Sequence, residues 1–388
     1  MNLSASLLAS FWGGSVLSCF DFLGTQQRSI RVPDIAPGPI DEDAFLNKVP
    51  PAFEHLSVSF IKDNLAVIPG EWDAGDIKTP FYGVRSDQVP FQNVLAKIKS
   101  TDFIVWDASF FDIIGPQAKL EKIQSFEGET PHVHEAPAYV PETNELFYAD
   151  TSVTGWLWAI NVDTYEVRKV ATNPPLANVN GARYHNGRVY ATTNGGSVRA
   201  IFSINPLDGS ATPVEFKHVV YRPFLWLVSH PELPNSIYFL DMKSKALVTV
   251  SNSVVTTPNG LAFSPNGSIL YVADSNSTAG RPLEHHPASV RNVWAFDVSG
   301  SILSNPRLIC ATESGWPDGL QVTRNGYLAV AALGGVDIVD PKSGKLIGKV
   351  NTPGDIIFNL ELGPRRGGQR MWLLTGRDFI YKALVKDV

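Results

Sequence analysis

Six times along this chain a short apolar strand is followed by a turn and a second strand rich in β-formers, and several of these units open on an Asn-Gly or Asp-Gly pair. Asn259-Gly260-Leu261-Ala262-Phe263 leads through Pro265-Asn266-Gly267 into 269–274, and Asp318-Gly319-Leu320 leads through Asn325-Gly326 into 327–330. Glu135, Asn180, Leu225 and Phe358 stand at the heads of four similar units. Asn-Gly between alternating apolar runs is a strong hairpin signal. A third strand follows most hairpins, as at 156–160 and 293–296. The heads of the units lie 34 to 59 residues apart, which suits a four-stranded blade. Radial blades leave only short sheet edges. The expected fold is therefore all-β, a six-bladed β-propeller over residues 101–388. A linear β-solenoid is the weaker reading because hairpins dominate. A strand at 103–106 or 120–126 is expected to close the ring against the last blade.

The preceding residues differ. Pro33, Pro37, Pro39, Pro50, Pro51, Pro69, Pro80 and Pro90 interrupt residues 21–100, which read as an extended N-terminal arm without regular elements. Residues 1–20 are apolar, too short for a membrane span, and signal-like, although no Lys or Arg stands near their start. Asn266-Gly267-Ser268 and Asn276-Ser277-Thr278 are glycosylation acceptors in pattern. These features point to the secretory pathway or the cell exterior, or to the cytoplasm if the segment is not a signal. Two cysteines, Cys19 and Cys310, exclude a disulfide framework. A net charge of −6 argues against a nucleic-acid partner, and Arg365, Arg366 and Arg370 read as a solvated hairpin turn. No membrane partner is expected.

In a propeller the first strand of each blade lines the channel, so Glu135, Asn180, Leu225, Asn259, Asp318 and Phe358 would converge at one mouth. Two carboxylates and two amides there are hard oxygen donors of the kind Ca2+ prefers. Taken singly, Asn-Gly and Asp-Gly are more often plain turn residues; recurrence at matched positions favours a site. Phe224, Leu225, Trp226, Trp316 and Phe358 would make one side of the mouth apolar, as in pockets for hydrophobic small molecules. Glu135 and Asp318, with no cation between them, would repel, leaving one protonated as a general acid. His134, in His132-Val133-His134, is expected to hydrogen-bond beside Glu135; a separate Zn2+ site lacks further ligands. His285-His286 reads as solvated loop, and His185 and His230 as turn residues. There is no Gly-x-Ser-x-Gly elbow, phosphate loop or dinucleotide fingerprint.

His134-Glu135-Ala136-Pro137, Thr257-Pro258-Asn259-Gly260-Leu261 and Trp316-Pro317-Asp318-Gly319-Leu320 resemble motifs of the gluconolactonase, regucalcin and fungal lactonohydrolase family, as does 336–341 with 344–349. The resemblance covers residues 103–388 and implies one divalent cation, commonly Ca2+, held by a Glu, two Asn and an Asp. Glu135, Asn259 and Asp318 match three of these ligands. The fourth is implied at an Asn-Asp pair opening the third blade, where this chain has Leu225-Trp226, so the ligand set is incomplete unless Asn180 substitutes. Losing an amide and a carboxylate weakens metal-assisted hydrolysis. The chain also resembles fungal hetero-Diels–Alderases that join a tropolone quinone methide to a humulene-type sesquiterpene. The leading expectation is thus a secondary-metabolism cyclase working by proximity, with no cofactor required for the cycloaddition. The alternatives are a secreted Ca2+-dependent lactonase and a noncatalytic binding propeller.

Overall fold

The computed structural model describes residues 45–62, 83, 89–126, 133, 135–150, 155–193, 201–214, 236–241, 243–244, 246–250, 254–276, 289–312 and 315–386. The signal-like segment, His134, Phe224, Leu225 and Trp226 lie outside them. Strand alternation and turn glycines produce antiparallel sheets in which neighbours in sequence are neighbours in space. The first sheet holds Glu135–Val140, Glu145–Ala149, Leu157–Asn161 and Val167–Lys169 in that order. The second holds Val179–His185, Arg188–Thr193, Ile201–Ile204 and Ala211–Pro213. Tyr238–Leu240 pairs with Leu247–Thr249, and a further four-stranded sheet holds Pro258–Phe263, Ile269–Asp274, Asn292–Ser299 and Ile302–Ala311.

The remaining strands form one larger sheet because Lys345–Arg366 runs through two strand groups. Its first part pairs with Leu328–Asp340, which pairs with Leu320–Val322. Its second part pairs with Gln369–Gly376, followed by Phe379–Val385. Lys119–Ser125 completes that last group, as expected for residues 120–126. Phe103–Val105 does not join it: it pairs with residues 348–350, on the preceding group. The N-terminal region therefore braces two groups.

Packing links the sheets in sequence. Phe147, Ala159 and Val140 of the first sheet pack with Val189, Ala191 and Phe202 of the second. Met371, Leu373 and Ile380 of the last group pack on Leu146, Tyr148 and Ile160 of the first, so the chain's end returns to its beginning. Side chains as large as Trp372 and Phe147 are fully buried there, each contributing about 1.5–3 kcal/mol.

The arm is more regular than its prolines imply. Val58–Phe60 pairs in parallel with Phe103–Val105, and Val89–Lys99 forms an 11-residue helix. Pro90 sits in the first helical turn, where no intrahelical donor is lost. Phe91, Val94, Leu95 and Ile98 are buried at helical spacing, and this apolar stripe outweighs the breaker reading.

Asp355, between the two parts of Lys345–Arg366, is 4% exposed. Burial pushes its carboxyl from 3.8 up to about 7, against backbone N–H groups of Ile356 and Arg377 that favour the charge. A folded-state value above the unfolded one means stability present at low pH is lost as pH rises from about 4 to about 7. Asp355→Asn is therefore expected to stabilise the protein at pH 8 by about 1–2 kcal/mol, with little effect at pH 4.5. Urea unfolding at both pH values checks this; an equal effect at both would refute it.

Candidate active site

Four of the strands that open a sheet or strand group begin with a register break at the same relative place. The breaks fall between Glu135 and Ala138, Val179 and Gly181, Pro258 and Leu261, and Ile357 and Asn359. A bulge leaves a residue out of the ladder and re-aims its side chain. The residues so released include Asn180, Asn259 and Phe358. Ala136 takes φ 60° to turn the chain beside Glu135.

Hydrogen bonds then tie three of these strand ends to one another and to the Asp318-Gly319 pair. The Asn359 Nδ2 donates to Glu135 Oε2 at 3.3 Å. Gly319 N donates to the Phe358 carbonyl at 2.8 Å, and Gly260 N to the Asp318 carbonyl at 3.1 Å. Asn259 Nδ2 donates to Ser275 Oγ at 3.2 Å, and that hydroxyl donates to the Pro317 carbonyl at 2.5 Å. Asp274, fully buried, accepts from the Thr256 and Thr257 backbone N–H groups at 2.9 Å each and so fixes the segment leading to Asn259. The glycines after the two anchors have a steric purpose. A Cβ on Gly260 would lie 2.1 Å from the Asp318 carbonyl oxygen, and one on Gly319 would lie 2.1 Å from Asn359 Oδ1.

Glu135 and Asp318 are both buried here, 8% and 4% exposed. Burial, and next the charge of Glu135, push the Asp318 carboxyl well above the usual carboxylate range. The Trp316 indole, which donates to Asp318 Oδ2 at 3.2 Å, and the Asn259 amide pull the other way. Asp318 Oδ1 is buried with no hydrogen-bond partner among the described residues. Such an orphaned acceptor, beside a second carboxylate and the Asn259 amide, fits the hard oxygen donor set of a Ca2+ ion.

Glu135 and Asn259 thus both lie close enough to act on the Asp318 carboxyl. Asn180 lies half-buried at the bulge of its own strand. Trp316 flanks Asp318, and Phe358 packs against Trp316 with ring centroids 6.4 Å apart. Phe358 is 8% exposed beside Trp316, and the side chain of its strand that reaches Glu135 is Asn359. The bulge between Ile357 and Asn359 moves that position by one residue. Ser275 and Asn359 were not singled out from sequence. Asn359, the polar residue in Phe358-Asn359-Leu360, was the available signal. The arginines expected in a solvated turn do flank the Gly367-Gly368 hairpin, but Arg366 also binds Asp163 at 2.5 Å and Asn144 at 2.8 Å.

One layer further along the same strands lies a second polar group. Arg183 Nη1 approaches Gln321 Oε1 and Glu361 Oε2, each at 3.4 Å. Gln321 Nε2 donates to Glu361 Oε2 at 3.1 Å and to the Leu360 carbonyl at 3.2 Å. Burial pushes the Glu361 carboxyl up to about 7, with Arg183 and Arg370 opposing.

Several known proteins are similar to this chain. Residues 225–375 match the family described as SMP-30/Gluconolactonase/LRE-like region. The lactonohydrolase oryH of Aspergillus oryzae is 25% identical over 358 residues, covering 66% of this chain and 75% of that protein. The lactonohydrolase oryL of the same organism is 25% identical over 311 residues, covering 68% and 70%. Among solved structures, a gluconolactonase from Xanthomonas campestris aligns over 72% of this chain and 94% of its own, with a TM-score of 0.59 and 23% identity. Regucalcin from Agrobacterium tumefaciens, described as a calcium-binding protein, aligns over 68% and 95% with a TM-score of 0.50 and 13% identity. The structural matches show a mostly β, propeller-type fold.

Proposed function

We propose that this gluconolactonase-like chain is a lactone hydrolase built on a six-bladed propeller, with Glu135, Asn259 and Asp318 as the reacting centre. The observation that carries the reading is the convergence of two buried carboxylates and an amide from distant segments, with Asp318 Oδ1 left without a hydrogen-bond partner among the described residues. Residues 225–375, which contain Asn259 and Asp318, are the part that matches the SMP-30/gluconolactonase description.

Hydrolysis forms a bond between water oxygen and the carbonyl carbon and breaks the ring C–O bond. One proton leaves the water and one reaches the departing alkoxide. Two crowded carboxylates hold a single proton between them more readily than none, so the Glu135–Asp318 pair can take the first proton and return one. Asn259 and Asn359 hold these groups in place. Glu135, Asp318 and the Asn259 amide are the residues that would hold a Ca2+ ion, which supplies carbonyl polarisation when bound.

Acid release in a pH-stat from five- and six-membered lactones tests the reading. Turnover is expected, lost at least a hundredfold after chelation and restored by Ca2+. No hydrolysis of any lactone by Ca2+-loaded protein would contradict it.

A second reading has one observation behind it. Trp316 and Phe358 form an aromatic wall against a carboxyl that burial drives towards its neutral form. A neutral acid beside apolar rings suits a cyclase that joins a tropolone quinone methide to a humulene-type sesquiterpene, needing orientation and one hydrogen bond. Product analysis with those two reactants separates the readings.

A further inference from the structure

The layer below the reacting centre has chemistry of its own. Along a strand, residues two apart share a face and lie about 6.6–6.8 Å apart. Asn359 faces Glu135, so Glu361 continues the same face one step further from the mouth. Gln321 belongs to Leu320–Val322, the strand that begins just after Asp318. Arg183 comes from the second sheet, whose core packs on the first, yet its guanidinium reaches side chains of the two final strand groups. Three opening strands therefore meet at one point beneath Asp318 and Glu135.

The contacts of Arg183 are few. Both are made by Nη1, both are 3.4 Å, and the side chain remains 64% exposed. Glu361, 12% exposed, is held from its other side by the Gln321 amide. The Nε and Nη2 edge of Arg183 has no partner among the described residues, and that edge is the planar pair of donors that matches a carboxylate.

We infer that Arg183 is a carboxylate-recognition residue of this site, receiving an acid group carried by the substrate or released when the ring opens. The inference rests on the lactone-hydrolase reading for the source of that acid, and on the Arg183–Gln321–Glu361 geometry for the subsite itself. Gln321 is a positioning residue: it fixes Glu361 so that the guanidinium is oriented without being fully neutralised.

Calorimetric titration of the full chain tests this, with gluconate as the acid probe and glucitol as the uncharged comparison. Chelator is present throughout so that no cation captures the carboxylate. The wild type is expected to bind gluconate at least tenfold more tightly than glucitol. Arg183→Gln is expected to lose about 10- to 100-fold in gluconate affinity with glucitol unchanged, and Arg183→Lys to keep part of the difference. Circular dichroism confirms that both variants are folded. If Arg183→Gln is unfolded, Arg183→Lys carries the same test, with weaker gluconate binding than the wild type and unchanged glucitol binding expected, and equal gluconate binding overturning the inference. Equal binding of the two probes by the wild type, or full discrimination by Arg183→Gln, overturns the inference. Hydrolysis with unaltered discrimination in Arg183→Gln would overturn the subsite alone. Arg183-dependent gluconate binding without hydrolysis of any lactone would overturn the reaction and leave the subsite standing.

Discussion

Replacing Asp318 by asparagine is expected to lower kcat for lactone hydrolysis about a thousandfold, with a much smaller change in KM. The substitution keeps the shape of a side chain whose surroundings leave no room for another: it is 4% exposed, accepts from the Trp316 indole and sits beside Asn259. What it removes is the capacity to exchange a proton with the water and the leaving oxygen. It also removes the repulsion from Glu135, which adds to burial in raising the Asp318 carboxyl. Activity and stability should therefore move in opposite directions, the variant melting higher than the wild type when chelator is present. A fall in both would mean that Asp318 serves folding and not the reaction. Steady-state kinetics and thermal melting on one preparation decide between them.

Gly260→Ala should have an effect as large by another route. The added Cβ meets the Asp318 carbonyl oxygen at 2.1 Å and Leu320 N at 2.7 Å. Both are backbone atoms, so no rotamer change relieves the clash, and the segment carrying Asp318 must move. Overpacking of this kind costs about 3 kcal/mol, and a shift of about 1 Å at a reacting group costs about a hundredfold in rate. Gly267→Ala is the comparison. That glycine has φ 72° in a hairpin turn and nothing within 4 Å of an added Cβ. It should lose about 1 kcal/mol from backbone strain and leave kcat unchanged. Equal effects of the two substitutions would remove the argument that Gly260 exists to let two strand ends touch.

Much of the site was legible because its signals are local. Asn259-Gly260 and Asp318-Gly319 announce both an anchor and the close approach that follows it, and the structure shows the reason in the two forbidden Cβ positions. Two β-rich stretches ahead of the first unit, 103–106 and 120–126, were legible as strands, and it is Lys119–Ser125 that pairs with Phe379–Val385. Features that depend on register were not legible. Spacing pointed to Phe358, but a bulge between Ile357 and Asn359 puts Asn359 on Glu135. The same holds for Arg183, Gln321 and Glu361, which share no motif and meet only because their strands align in depth. In the arm, prolines drew attention away from Phe91, Val94, Leu95 and Ile98, whose spacing describes a buried helix face. Leu225 and Trp226, on which the departure from the hydrolytic pattern turned, lie outside the described residues.

The account depends on Glu135 and Asp318, far apart in the chain, sharing one buried space. A double-mutant cycle of Glu135→Gln and Asp318→Asn, measured by urea unfolding in the presence of chelator, tests that most directly. Each single substitution is expected to stabilise the protein, and the double variant to fall short of their sum by at least about 1 kcal/mol, because the repulsion can be relieved only once. Stability changes that add within about 0.3 kcal/mol would mean the two carboxylates do not meet, and the proposed reacting centre would not exist.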